Sequence, residues 1–154
     1  MVAMWSDCTF AGAPGDGVRN SETFAGDQVS VLASQAGWAW PGALRDIFKP
    51  RRVNLLVARG ADEFASIIES RRIHTAIIDL DSPDSGGFGV VRVVRMADPL
   101  VPCIVLSASP DREVLGRALE LDVFSVIAKP VDMSLLRQQL NRLFIKKYGS
   151  YIFD

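Results

Sequence analysis

Residues 75–89 read TAIIDLDSPDSGGFG. The run from Ala76 to Ile78 is apolar at consecutive positions, as in a strand covered on both faces. It ends on Asp79, with Asp81 two residues on, ahead of Pro83 and the Gly86–Gly87 pair. Four other segments have the same short apolar character: VSVLAS (29–34), NLLVA (54–58), CIVLS (103–107) and FSVIA (124–128). With TAIID (75–79) they make five expected strands.

Amphipathic stretches lie between them. ADEFASIIESRR (61–72) places Phe64, Ile67 and Ile68 on one helical face, with Asp62 and Glu63 in the first turn and Arg71 and Arg72 in the last, a charge order that suits the helix dipole. GVVRVVRMA (89–97) sets Val90, Val91, Val93 and Val94 around Arg92 and Arg95. PDREVLGRALELD (110–122) follows Ser109, an expected N-cap with Pro110 at the first helical position. DMSLLRQQLNRLFIKKY (132–148) is expected to turn Leu135, Leu136, Leu140 and Leu143 inward and Arg137, Arg142, Lys146 and Lys147 to water. Strands alternating with helices of this length specify a parallel sheet with helices on both faces. QAGWAWPGALRDIFKP (35–50) should hold the first helix, but Gly37, Pro41 and Gly42 leave it about two turns, from Pro41 to Phe48.

The composition sets the frame. At 154 residues, 49% hydrophobic and 23% charged, the chain has the material for one domain with a real core. Residues 1–26 mix Gly, Pro, Ala, Asp and Ser without periodicity and read as a flexible extension; the domain is expected over 27–148, with a tail at 149–154. Seventeen basic against eighteen acidic residues give a net charge of −1, which provides no general attraction for nucleic acid. The basic residues of 137–147 read as a solvated helix face. Cys8 and Cys103 form neither a CxxC nor a disulfide framework, so both are expected reduced. No basic-then-apolar leader and no membrane-length apolar run occurs, so a cytoplasmic location is expected and no membrane partner. His74, the one histidine, is expected at the surface or a sheet edge, and Trp38 and Trp40 in packing around the first helix.

In an open parallel sheet, chemistry sits beyond the carboxyl ends of the strands. The residues there are Ser34 or Gln35, Asp79, Ser107 and Lys129. A phosphoryl group on Asp79 would find an ammonium partner in Lys129 and a hydroxyl in Ser107.

These residues resemble the receiver domain of bacterial response regulators, the CheY-like family, over roughly residues 27–148. Asp79, Pro83 and Gly87 match the family's acceptor Asp with its following Pro and Gly, Ser107-Ala108 its Ser/Thr-Ala, and Lys129-Pro130 its Lys-Pro. The resemblance implies an α/β, flavodoxin-like fold, a doubly wound five-stranded parallel sheet of order 2-1-3-4-5 in a single domain. It makes Asp79 the phosphoacceptor, Ser107 and Lys129 the phosphoryl-contacting residues, and Asp81 the residue whose backbone carbonyl reaches Mg²⁺. Where the family carries an acidic pair after the first strand, this chain has Ser34 and Gln35. Each ion–carboxylate attraction at 4 Å is worth about 4 kcal/mol per unit-charge pair at an effective dielectric of 20, so loss of two weakens the metal site severely. No cofactor is expected, and Asp79 and Asp81 are weak candidates for Mg²⁺.

The leading expectation is a stand-alone receiver-like domain, not an enzyme, that signals by binding other proteins with Mg²⁺-dependent phosphorylation impaired or absent. One alternative is a working phosphoacceptor charged by a histidine kinase; a weaker one is a flavodoxin-type small-ligand binder, for which SQAGWAW makes a poor phosphate loop. The family's output surface corresponds to 110–122, 124–128 and 132–147, and Val126 stands where its switch uses an aromatic. A homodimer is expected, with Leu115, Leu119, Val126 and Leu136 as exposed apolar candidates. In the cleft, Lys129 is expected to contact Asp79 directly, with Asp81 turned to solvent and no ordered Mg²⁺.

Overall fold

A computed structural model describes residues 29–34, 53–81 and 87–149. The expected first helix at 41–48, Gln35, Trp38, Trp40, Cys8, Pro83, the N-terminal extension and the tail beyond Gly149 lie outside the described residues. The elements, in chain order, are β1 (Val29–Ser34), β2 (Val53–Ala58), α1 (Ala61–Ser70), β3 (Thr75–Asp79), α2 (Phe88–Ala97), β4 (Cys103–Ser107), α3 (Arg112–Glu120), β5 (Ser125–Ala128) and α4 (Met133–Tyr148). All strand pairs are parallel and the sheet order is β2-β1-β3-β4-β5. The order reverses at β1, so a crevice opens between the ends of β1 and β3.

The two-residue period of the strands divides the core. Val29, Val31, Ala33, Ile77, Ile104, Leu106 and Ile127 face one side, where Leu136, Leu140, Leu143, Phe144 and Tyr148 of α4 cover them. Leu32, Ala76, Ile78, Cys103 and Val105 face the other, against Phe64 and Ile68 of α1, Val90, Val91 and Val94 of α2, and Ala118 of α3. Burying one such large aliphatic side chain contributes about 1.5–3 kcal/mol. Because both faces are covered, β3 and β4 are buried at every residue, which explains their unbroken apolar runs.

Several local expectations are corrected. α1 stops at Ser70, and Arg71 is extended (φ −155°, ψ 160°), so no basic residue lies in its last turn. The chain leaves the helix there and delivers Ile73 to the core. α3 starts at Arg112 with Asp111 as N-cap, its carboxylate accepting from Val114 N at 2.9 Å. Ser109 lies in the turn before the helix: its N–H donates to Ser107 Oγ at 3.1 Å and its carbonyl accepts from Asp111 N–H at 2.8 Å. In α4, Leu136 is fully buried and Leu135 is partly exposed, because Leu136, Leu140, Leu143 and Phe144 form one stripe at helical spacing and Leu135 lies a step off it. Leu136 is therefore a core residue and is withdrawn from the exposed candidates. Asp132 caps the start of α4 by accepting from Ser134 N at 2.9 Å, and Gly149 closes it in the left-handed region at φ 70°.

His74 is the largest correction: it is buried at the foot of the sheet, only 4% exposed. Its N–H donates to Ser30 O at 2.8 Å, Ser30 N–H donates to its Nδ1 at 3.1 Å, and Tyr148 Oη donates to its carbonyl at 2.6 Å. Phe144 and Tyr148 flank the ring at centroid distances of 6.5 and 5.6 Å. Burial first, and the Arg72 charge second, hold its pKa well below the usual 6.5. Also at the foot, Arg95 of α2 donates to four carbonyls: Pro99 O (3.1 Å), Val101 O (2.6 Å), Leu121 O (3.0 Å) and Asp122 O (2.8 Å).

Candidate functional site

The carboxyl ends of β1, β3, β4 and β5 bring Ser34, Asp79, Ser107 and Lys129 to one edge of the sheet. β1 and β3 are neighbours, and Asp79 N–H donates to Ser34 Oγ at 3.0 Å. On the other side, β3 pairs with β4 in a register that sets Asp79 against Leu106, and Leu80 N–H donates to Leu106 O at 2.9 Å. Lys129 follows β5, with its N–H donating to Ser107 O at 2.9 Å, which returns its side chain over the strand ends. The Lys129–Pro130 peptide is cis. Asp79, Ser34 and Ser107 are buried.

Lys129 Nζ donates to Asp79 Oδ1 at 2.6 Å, so the expected direct contact is present. Asp79 Oδ1 also accepts from Asp81 N–H at 2.9 Å. Asp81 does not turn away to solvent as expected. Its Oδ2 lies 3.3 Å from Lys129 Nζ and accepts from Ala108 N–H at 2.7 Å, although its side chain is 41% exposed. The physical reason is donor supply: the ammonium has three protons, and the Ala108 amide, on the connection from β4 to α3, takes a carboxylate acceptor. The Ala108 amide is the participant that sequence reasoning missed. A backbone donor leaves no mark in a sequence beyond its place after Ser107.

The resemblance implies Mg²⁺ at this edge, and the described residues do not fit it well. Their carboxylates there, Asp79 and Asp81, share a single ammonium. Ser34 offers a neutral hydroxyl that already accepts a hydrogen bond from Asp79 N–H. Among the described residues no group of three or more His, Cys, Asp or Glu side chains is gathered for a metal. A cation entering here would meet the Lys129 charge, a repulsion of about 4 kcal/mol per unit-charge pair at 4 Å and an effective dielectric of 20.

Beside the cleft lies a depression of about 390 Å³ lined by residues including Asp81, Gly87, Ser107, Glu113 and Arg117. Gly87 opens α2 with φ 60° and ψ −128°, a backbone shape that disfavours a side chain. A larger groove of about 780 Å³, lined by Leu100, Phe124, Arg142, Lys146 and others, is at the foot of the sheet, far from Asp79 along the strands. It holds none of the cleft residues.

The family and the fold are shared with known proteins. The profile of the response regulator receiver domain matches residues 41–141. The chain belongs to that family. A cyclic di-GMP phosphodiesterase of Thermotoga maritima is 25% identical over 115 residues, covering 71% of this chain and 31% of that protein. Response regulator RR06 of Streptococcus pneumoniae is 25% identical over 95 residues, covering 62% of this chain and 43% of the relative. The chain thus spans less than half the length of these curated relatives. Among solved structures, a CheY-like receiver domain protein of Methanospirillum hungatei has a TM-score of 0.72 at 18% identity, over 80% of this chain and 98% of that one. The receiver domain of an HD domain-containing protein from Pseudomonas fluorescens has a TM-score of 0.70 at 20% identity, over 79% and 90%. At these identities the structural likeness speaks for the fold alone. No helix among the described residues is long and apolar enough to cross a membrane.

Proposed function

We propose that the chain is a two-component receiver domain that signals through protein–protein contact, with Mg²⁺-dependent phosphorylation of Asp79 impaired. The observation that carries this reading is the sharing of one ammonium, Lys129, between Asp79 and Asp81, with the neutral Ser34 at the end of β1. The acceptor is thereby held by an internal cation, and half of the carboxylate charge that would draw in a divalent ion is neutralised. Asp79, Ser107 and Lys129 are the inherited cleft residues. The half-buried Val126 of β5 replaces the switch aromatic, so the usual coupling between Ser107 and β5 lacks its ring. Leu115 and Leu119 on α3 are 47% and 81% exposed and supply an apolar contact surface for signalling partners, among them a histidine kinase or a second copy of the chain. Phosphotransfer is tested by mass spectrometry after incubation with acetyl phosphate and millimolar Mg²⁺. No mass gain is expected.

The second reading is a working acceptor, favoured by the convergence of Asp79, Ser107 and Lys129. There, an Asp79 carboxylate oxygen bonds to phosphorus as the donor's phosphorus–oxygen bond breaks and acetate leaves. A Mg²⁺-dependent gain of one phosphoryl group, lost in Asp79→Ala, would establish it.

A further inference from the structure

We infer that Asp81 is a built-in anion that occupies the donors a phosphoryl group on Asp79 would use. The inference rests on reading Asp79, Ser107 and Lys129 as a receiver cleft. A group attached to Asp79 must lie near Lys129 Nζ, which is 2.6 Å from Asp79 Oδ1. Its oxygens would need further donors, and the Ala108 amide, directly after Ser107 at the end of β4, is a backbone donor that shares an acceptor with that ammonium. Both of those donors are engaged by one atom, Asp81 Oδ2, at 3.3 Å from the ammonium and 2.7 Å from the amide. Asp81 is fixed for this task by its own N–H, which donates to Asp79 Oδ1 at 2.9 Å. The side chain could be solvated, being 41% exposed, yet it points inward and bridges the two donors. A short, charge-assisted bond to a backbone amide is the interaction that a phosphoryl oxygen makes.

The consequence is regulatory. The carboxylate ties the connection between β4 and α3 down over the cleft with no covalent modification, so this loop holds one position whether or not a donor is present. A phosphoryl group on Asp79 would have to displace Asp81 before it reached the Ala108 amide.

The test uses the ¹⁵N-labelled full chain and follows the Ala108 amide by NMR in wild type, Asp81→Asn and Asp81→Ala, with and without inorganic phosphate. In wild type the amide is expected downfield, protected from exchange and indifferent to phosphate. In Asp81→Ala its exchange is expected to rise about tenfold or more, the scale of losing a hydrogen bond to a charged acceptor, and phosphate is expected to restore protection. Asp81→Asn, which keeps an acceptor but not the charge, should lie between. An Ala108 amide unmoved in Asp81→Ala overturns the inference, as does an equal phosphate response in wild type. Faster exchange that phosphate does not restore reduces Asp81 to a loop clasp and also overturns it. Inorganic phosphate transfers no phosphoryl group, so this result is independent of the mass gain or its absence after acetyl phosphate, which judges the proposed function.

Discussion

The buried histidine makes stability depend on pH in a direction that can be worked out. His74 is neutral in the folded protein, where Ser30 N–H donates to its Nδ1 and the ring lies against Phe144 and Tyr148. Protonating Nδ1 would set two donors against each other inside the core. The folded pKa is lowered well below 6.5, while the unfolded chain titrates near the ordinary value. For a lowered histidine the unfolded state binds the extra proton, so the contribution is fully present above about pH 6.5 and is lost as pH falls toward the folded pKa. From about pH 7.5 to about pH 5.5 one such group removes about 1.4 kcal/mol. The assay is urea denaturation of wild type and His74→Asn at both pH values. The asparagine Oδ1 can keep the bond from Ser30 N–H, so the variant loses packing at both pH values but not the titration. The wild type should lose about 1.4 kcal/mol more than the variant over this interval. Equal losses would refute the account of a neutral His74.

Three further outcomes are expected. Lys129→Met leaves Asp79 charged and buried beside Asp81, so it should cost about 3–5 kcal/mol in denaturant unfolding, and adding Asp79→Asn should recover most of the loss; a double variant no more stable than the single would contradict the ion-pair reading. Cys103 is buried and its thiol is pushed up to about 11, so iodoacetamide at about pH 8 should label it only when denaturant is added, and rapid labelling of the native chain would show the burial to be wrong. Light scattering should report a dimer in wild type and a monomer in Leu119→Asp, and a monomeric wild type at high concentration removes the α3 surface from the assembly.

Legibility followed the physics of each feature. A strand covered on both faces has to be apolar throughout, so β3 and β4 were plain in the sequence, and the carboxyl-end rule pointed straight to Asp79, Ser107 and Lys129. Helix ends were harder: Ser109 and Asp111 are both good caps, and the turn that ties Ser109 to Ser107 and Asp111 leaves the capping to Asp111. Leu135 and Leu136 are chemically alike, and only the phase of the whole stripe over Leu140, Leu143 and Phe144 sorts them. His74 was misjudged because a single polar residue beside a strand reads as an edge, while its burial depends on Tyr148 and Phe144, some seventy positions later. Asp81 was misplaced for a related reason: the Ala108 amide that draws it inward belongs to a different loop.

Arg95 gives the upper edge of the sheet a mechanical counterpart. Its guanidinium staples the end of α2 to Pro99 and Val101 ahead of β4, and to Leu121 and Asp122 where α3 ends. α3 is thus pinned at its last turn while its first turn hangs from the loop that carries Ala108. A helix held at one end swings as a lever about that end and does not slide. While Asp81 clasps the Ala108 amide, both ends of α3 are held. With that clasp released, Leu115, nearer the loop, would sweep a wider arc than Leu119, and a partner gripping both would sense the helix's tilt.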